Sequence, residues 1–416
     1  MQNKILGPVS FRDILIILNS ILLLIGNNSI LSSSILIISS IILAYEPVSV
    51  IPLILISSIS SSIAIISGFS AFFYYEYIFI VACFLRNRFI FRITRYNIVV
   101  FIYIFWIILC SIKSLSGDIT GGVKMCVAIL PLLAIPMFNY NTGKIEKYLL
   151  ITAIASTLYI TYKLILDPVL YIPEDYNHYL AAELQITISK SINPNTISQA
   201  LFLLYIIIYV YAINKRKLYL LILTLFPIIS IALIGSRTVF ISLIVVSLLV
   251  YLHSSKIKIT QKIVVASLLI LLGTVIFELI VSLNERLLLS TILEDRGSGR
   301  FDTWQYLFNN VIPSNLLFGI GYGRVNMDYM GLDVDADNMY VDALTQMGII
   351  GLSLVISLLV GLWIRNRRNM MVVAQIAMAL IIFTFFAGFG ETMFDTFIFV
   401  YILLFSTISI YSVNKS

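Results

Sequence analysis

Apolar runs of about 15–20 residues, the length a helix needs to cross a bilayer, recur along this chain from end to end. Backbone groups in lipid find no water to bond, so each run must satisfy its own N–H and C=O groups as a helix or close into a barrel. A barrel requires short segments that alternate apolar and polar residues, and these runs do not alternate. Read in order, they fall at Ile14–Gly26, Ile30–Ala44, Ser49–Ile66, Ala71–Leu85, Ile98–Leu115, Val123–Phe138, Leu149–Leu166, Thr196–Ile213, Leu218–Ile234, Val239–Leu252, Ile263–Leu283, Asn338–Trp363, Met370–Gly388 and Thr396–Val413. The expected fold is an all-α integral membrane protein, a polytopic bundle of about 12–14 transmembrane helices. The lower number applies if one hairpin of short helices is re-entrant.

Composition narrows this further. Hydrophobic residues make up 60% of the 416 and charged residues 12%, against about 25% charged in soluble domains. No stretch is long or polar enough to form a separate soluble domain, so residues 1–416 read as one transmembrane domain. The three cysteines, Cys83, Cys110 and Cys126, are scattered in or beside apolar runs, which is not a disulfide framework. Inert buried thiols fit them better than a Cys110–Cys126 bridge. Lys4 and Arg12 before the run from Ile14 look like the start of a signal peptide, but Gly26-Asn27-Asn28-Ser29 is a poor cleavage site, so this run reads as an uncleaved first helix.

Lys and Arg set the orientation. With the N-terminus inside and each helix reversing the side, the inside receives Arg86, Arg88, Arg92 and Arg95, then Lys144 and Lys147, Lys215–Lys217, Lys256, Lys258 and Lys262, and Arg365, Arg367 and Arg368. Every compact basic cluster lands there, with both termini. The net charge of +6 then describes anchoring to an anionic inner leaflet rather than nucleic-acid binding.

Two loops on the outer face exceed a tight turn. The first, 167–195, contains Pro168, Pro173, Glu174, Asp175 and His178. The second, 284–337, carries Arg286, Arg296, Arg300 and Arg324, no lysine, and eight carboxylates. A solvated acidic surface accounts for the excess acid but not for the arginines. Gly297-Ser298-Gly299 precedes Arg300-Phe301-Asp302-Thr303-Trp304, whose apolar spacing with Leu307 and Phe308 is helical. Arg300 is therefore expected at a helix N-terminus, where donors converge on anions and a guanidinium can grip phosphate oxygens in a bidentate fashion. The plainer role for Arg300 is an ion pair with Glu294 or Asp302, and for Arg286 and Arg296 a solvated surface. Gly319-Ile320-Gly321-Tyr322-Gly323 reads as a flexible turn, not a nucleotide fingerprint, since no strand–turn–helix unit surrounds it. Asp333, Asp335 and Asp337 alternate as metal ligands can, but Asn338 and Leu344 stand where an EF-hand needs Gly and Glu, and no metal is expected.

Arg237, in Gly235-Ser236-Arg237-Thr238, joins two helices at the outer face. It either snorkels to headgroups or points into a cavity. Glu391 and Asp395 flank the outer turn before the last helix. Glu391 there is placed to touch sugar hydroxyls or brace an arginine. Glu76, amid Phe72, Phe73, Tyr74, Tyr75 and Tyr77, is as well explained by packing.

The order S-R-T (236–238), G-R-F-D-T-W (299–304), L-F-G-I-G-Y-G (317–323) and D-N-M-Y-V-D-A-L-T-Q-M-G-I-I-G-L (337–352), with N-P-N-T at 193–196, resembles the O-antigen polymerase and ligase superfamily (Wzy and WaaL). The resemblance covers roughly Leu233 to Leu352. It implies a GT-C-like membrane glycosyltransferase in the bacterial inner membrane, with its active site facing the periplasm and its termini in the cytoplasm. The family takes a glycan carried on undecaprenyl pyrophosphate as substrate and uses no cofactor. Arg237 and Arg300 match the family arginines that face the pyrophosphate. Asp337 stands where ligases carry histidine. The only two histidines, His178 and His253, lie elsewhere, which favours a polymerase acting on another lipid-linked repeat unit over a ligase acting on lipid A–core. Asp337 is the expected proton acceptor, with an N-cap as its plainer role. Arg296, Arg324, Asn338, Tyr340, Asn195 and Glu391 are the expected substrate-binding residues. Implied partners are lipid-linked oligosaccharides, membrane lipids, a Wzz-like chain-length regulator and a flippase, and no nucleic acid.

The rival reading is a lipid-linked oligosaccharide flippase or secondary transporter. Such sites lie near the midplane, often between repeated halves. Here the arginines collect at one face and no repeat is visible. A non-enzymatic regulator of chain length would carry fewer helices and a longer soluble part.

Overall fold

The computed structural model describes residues 9–25, 30–56, 71–86, 95–113, 142–166, 194–234, 236–254, 300–321, 325–327, 332–334, 336, 338–369, 371–389 and 402–409, together with the single positions 126, 260, 262 and 267. In chain order the helices are α1 (Phe11–Ile25), α2 (Ile30–Ala44), α3 (Pro47–Ile56), α4 (Ala71–Arg86), α5 (Arg95–Lys113), α6 (Thr142–Leu166), α7 (Pro194–Lys215), α8 (Leu218–Leu223), α9 (Leu225–Ile234), α10 (Arg237–His253), α11 (Arg300–Tyr306), α12 (Met339–Asn366) and α13 (Val372–Ala387). Residues 402–409 are also helical. The expected spans Val123–Phe138 and Ile263–Leu283 lie outside the described residues, apart from the isolated positions, as do the first loop up to residue 193 and the second from 284 to 299.

The exposed surface identifies the solvent. Helix α5 buries Tyr103, Ile104, Ile107 and Cys110, yet its other side exposes Phe101, Ile102, Phe105, Ile108, Leu109 and Ile112. A helix apolar all round, with half of it uncovered, is stable only where the surroundings are apolar too. Among the described residues, Ile197–Lys215 and Met339–Asn366 are long and apolar enough to cross a membrane by themselves. These apolar helices and their uncovered apolar surface are consistent with a helical membrane protein.

It divides into two compact units. The first comprises Met1–Phe79 and Asn141–Leu287. Its centre is α7, buried almost throughout and packed against α6, α8, α9 and α10. Several polar side chains inside it bond across helices, while Thr152, Ser156, Thr157, Ser198 and Gln199 each keep a buried side-chain atom with no partner. The Tyr205 hydroxyl lies 2.6 Å from Ser247 Oγ, and the Tyr209 hydroxyl donates to the Ser247 carbonyl at 3.0 Å, tying α7 to α10. Asn19 Oδ1 accepts from Ser39 Oγ at 2.9 Å and from the Tyr75 hydroxyl at 3.0 Å, joining α1, α2 and α4. At one end, Glu46 takes Arg12 on one oxygen and Lys144 on the other, and Asp13 takes Lys147. The charge-based topology assigns these three segments to the same side, and they meet.

One expected helix is two. Leu218–Ile234 is interrupted at Thr224 between α8 and α9. Pro227 has no N–H for the Leu223 carbonyl, and its ring crowds that carbonyl. Thr224 itself keeps helical dihedrals (φ −69°, ψ −16°): its N–H bonds back to Leu220 and Leu221, and its hydroxyl donates to the Leu221 carbonyl at 2.6 Å.

The second unit comprises Ile80–Tyr140 and Leu288–Ser416. Helix α12 is its main span, and it is not continuous. Gly348 leaves the helix at φ 66°, ψ −173°. The carbonyls of Thr345 and Gln346 accept instead from Ile320 N–H at 2.9 Å and Gly321 N–H at 3.0 Å. The N–H groups of Ile349 and Ile350 donate to the carbonyls of Leu316 and Leu317 at 2.8 and 3.5 Å. The break therefore exchanges two helical bonds for four bonds to the L-L-F-G-I-G segment. The approach is close enough that a Cβ on Gly348 would stand 2.3 Å from the Leu317 oxygen, and one on Gly319 would stand 2.4 Å from Gln346. At the far end, Asn366 Nδ2 donates to Ser406 Oγ at 3.0 Å and Asn369 Nδ2 to Ser409 Oγ at 2.8 Å.

The described elements are helical but for one small ribbon in the second loop. Strands β1 (Val325–Met327) and β2 (Leu332–Val334) form a two-stranded antiparallel ribbon, with Val325 opposite Val334 and Met327 opposite Leu332. The ribbon lies in the second loop, where β-branched and apolar residues flank a four-residue connection that includes Gly331. The cysteines are free, with Cys83 and Cys110 buried and Cys126 half-buried.

Candidate functional site

In the first unit, two of the singled-out motifs meet. Asn195 lies in the first turn of α7, where Pro194 starts the helix without needing a donor. Ser236 precedes α10 and has the extended backbone of a capping residue. Its hydroxyl does not cap. It donates to Asn195 Oδ1 at 2.9 Å. N-P-N-T and G-S-R-T are thus joined side chain to side chain, with Arg237 as the first residue of α10. The Arg237 side chain lies outside the described residues.

In the second unit, three elements converge on residues 336–340. Arg300 is the first residue of α11, as its glycine-rich approach predicts, and α11 continues through a π turn at Leu307–Val311. One helical turn past Arg300, Trp304 Nε1 donates to the Ala336 carbonyl at 2.6 Å. The Ala336 N–H donates to Asp342 Oδ1 at 2.9 Å, and Asp342 is buried. Leu307, Ile312, Ala336 and Val341 close over these bonds with Trp304, Tyr306, Val311 and Leu344 packed against them. The helix carrying Arg300 is therefore anchored to the residue immediately before Asp337.

From the other side comes the end of α13. Asn338 Nδ2 donates to the Phe389 carbonyl at 3.0 Å, Met339 N–H to the Gly388 carbonyl at 2.8 Å, and the Tyr340 hydroxyl to the Phe385 carbonyl at 2.9 Å. These carbonyls are at the C-terminus of a helix, where no intrahelical donor reaches them. Tyr340 also packs on Phe389, ring centres 4.8 Å apart.

Asn338 resolves one of the open questions about this segment. It is the N-cap of α12, its Oδ1 accepting from Tyr340 N–H at 2.9 Å and Val341 N–H at 3.2 Å. The cap assigned to Asp337 as its plainer role thus belongs to its neighbour. Both ends of the Asn338 amide are engaged within the protein, and so is the Tyr340 hydroxyl. Asp337, Arg296, Arg324, Glu391 and His178 lie outside the described residues, and so does the Glu76 side chain. Trp304 and Asp342 are the residues that sequence reasoning missed. Trp304 counted only as one apolar position in a helical pattern, and nothing in the sequence marks its indole N–H as a tie. Asp342, in the first turn of a helix, has the place of a residue that favours the positive helix end rather than of one reaching outward to hold a loop.

Residues 220–356 match the family model described as O-antigen ligase (Wzy_C). The match spans α8 to the middle of α12, including Ser236-Arg237-Thr238, α11, the Leu316–Gly321 segment and the Gly348 break. Comparison with curated proteins finds no match. The family match supports the O-antigen polymerase–ligase superfamily for this stretch, without separating polymerase from ligase.

Proposed function

We propose that this protein is a membrane glycosyltransferase that polymerises a surface polysaccharide such as O-antigen. It moves a glycan from undecaprenyl pyrophosphate onto another lipid-linked repeat unit at the periplasmic face of the bacterial inner membrane. The observation that carries the reading is the family match over residues 220–356, which contains Arg237, Arg300 and Asp337 together.

The chemistry asks little beyond positioning and charge. The acceptor hydroxyl attacks the anomeric carbon, the bond from that carbon to the pyrophosphate oxygen breaks, and the hydroxyl proton is lost. Arg237 and Arg300 hold the departing lipid pyrophosphate through bidentate bonds that strengthen as its charge grows. Asp337 takes the proton. Its two neighbours, Ala336 and Asn338, are both held by hydrogen bonds, which supports a fixed position for a group that takes a proton. Arg296, Arg324, Asn195 and Glu391 are assigned to the sugar and phosphate groups, and no metal enters the reaction. Asn338 and Tyr340, whose polar atoms are bound internally, contribute by shape and by orienting Asp337.

The family description names a ligase, so the second reading is transfer to lipid A–core. Reconstitution with a lipid-pyrophosphate repeat unit separates them. Elongated lipid-linked chains from the wild type are the expected result. Asp337→Asn is expected to lose elongation by orders of magnitude while inserting normally. Product only when lipid A–core is added would establish a ligase, and movement of the lipid across the bilayer without elongation would establish a transporter.

A further inference from the structure

We infer that the turn Leu316-Leu317-Phe318 is inserted into the acyl chains of the bilayer leaflet at the N-terminal end of α12, where it fixes the height of the 336–340 cluster above the membrane. The occupant of this surface is ordinary phospholipid acyl chain. The inference does not depend on the reaction proposed above.

Helix α12 supplies the ruler. Its C-terminal end carries Arg365, Arg367 and Arg368, and the Arg367 guanidinium lies 5.0 Å over the Trp363 ring. That is the arrangement of an interfacial anchor. A hydrocarbon core of about 30 Å corresponds to about 20 helical residues, which carries the opposite boundary to the neighbourhood of Thr345. The sequence changes character at that level. Asp342, Thr345 and Gln346 stand on the N-terminal side of Gly348, and from Ile349 to Ile364 the helix has only Ser353 and Ser357 as polar side chains. The break at Gly348 therefore lies within one turn of the boundary, on its hydrocarbon side.

The turn is strapped to that level by backbone bonds, Ile349 N–H to Leu316 and Ile350 N–H to Leu317. Its side chains are about half uncovered. Leu316, Leu317 and Phe318 are 46%, 58% and 51% exposed, and Ile349 beside them is 44% exposed. Three consecutive uncovered apolar residues are costly in water, and larger patches of this kind mark an interaction surface. The patch continues into a second apolar surface: Phe318 stacks on Trp106 of α5, ring centres 6.2 Å apart, and the other side of α5 is exposed and apolar. Continuity with that face, together with the depth set by α12, selects acyl chains as the covering partner.

The test places a nitroxide at Leu317→Cys, or at Phe318→Cys, in a chain with Cys126→Ser; Cys83 and Cys110 are buried. Gln305→Cys on exposed α11 is the aqueous control. In phospholipid nanodiscs without polyprenyl lipid, oxygen is expected to relax the labels at 317 and 318, and a water-soluble nickel chelate to relax the label at 305. The oxygen-to-nickel accessibility ratio should be several-fold higher in the turn. A ratio at 317 and 318 equal to that at 305 would overturn the inference by placing the turn in water. Protection from both relaxers would overturn it in favour of a protein partner, including a second copy. A lipid-like ratio that arises only when a polyprenyl lipid is added would overturn it in favour of a substrate-tail groove.

Discussion

At Thr224 and at Gly348 a long helix is interrupted, and the bonds made around the two breaks run to different places. At Thr224 they stay local. Pro227 removes one donor, Thr224 turns its hydroxyl and N–H onto carbonyls three and four residues back, and the interruption closes within one turn. At Gly348 the partners are about thirty residues earlier in sequence, and two carbonyls and two N–H groups are all satisfied by the Leu316–Gly321 backbone. The first break is a property of its own residues. The second is a joint between two parts of the chain, and the cluster at 336–340 lies at the N-terminal end of the same helix. A break of the second kind can position a site because moving one side of it moves the other.

The strongest way to break this contrast is Gly348→Ala. The position has φ 66°, and the new Cβ would stand 2.3 Å from the Leu317 oxygen and 2.5 Å from the Phe318 nitrogen, both backbone atoms. Strain and the lost exchange together are expected to cost about 3 kcal/mol or more, read as a lower melting temperature in detergent, with elongation lost in reconstituted assays. Gly319→Ala faces the same joint from the other side and should behave alike. A wild-type melting temperature in both would mean that the two backbones are not in contact.

Asn338→Ala comes next. It removes the cap of α12, worth about 1 kcal/mol, and leaves the Phe389 carbonyl without its donor, which adds about as much again. Asn338→Asp sharpens the result, because a carboxylate still caps but cannot donate to Phe389. Thermal melting of the pair should place Asp between wild type and Ala. Equal melting of Asp and Ala would assign the whole effect to the bond to Phe389.

A smaller effect is expected from Trp304→Phe, which keeps most of the packing against Ala336 and deletes one hydrogen bond, a loss of about 1 kcal/mol. Its value lies in the comparison with stability. If Trp304 matters by holding the Asp337 neighbourhood in register, elongation should fall by more than the melting temperature predicts. A fall in both by the same proportion would reduce Trp304 to a packing residue.

What was legible in the sequence divides along the same line. Helix positions were readable because each is a local run of apolar residues, and the sidedness of the segments near Arg12, Glu46 and Lys147 followed from charge alone. Arg300 at the start of a helix was readable from Gly-Ser-Gly before it. The break at Pro227 was written in the sequence as a proline and was passed over. The break at Gly348 was not written locally at all. Gly351 and Gly361 sit in the same helix without interrupting it, and Gly361 has nothing within 4 Å of where its Cβ would be. Only the arrival of the Leu316–Gly321 backbone distinguishes Gly348, and that is a tertiary event. The same holds for the cap. Asp337 and Asn338 both cap helices well, and the choice of Asn338 goes with its second bond, to a carbonyl fifty-one residues away.

Pro227→Ala should have the smallest effect, and its sign is informative. With Ala at this position an N–H becomes available to the Leu223 carbonyl, the steric clash disappears, and helix propensity favours the change by about 3 kcal/mol in an isolated helix. Little of that should be realised, because α9 is already packed against α6 and α7 in the direction that the break allows. Straightening the helix would have to displace Ser230, whose hydroxyl lies 3.4 Å from that of Thr161 on α6. The expected outcome is a change within about 1 kcal/mol either way, with the Thr224 bonds kept and elongation unchanged. A large destabilisation would show that the break at Thr224 is also a joint, held by distant partners as Gly348 is, and the contrast between the two would fail. A stabilisation of several kcal/mol would show the opposite, that proline alone bends an otherwise willing helix and the surrounding packing follows it.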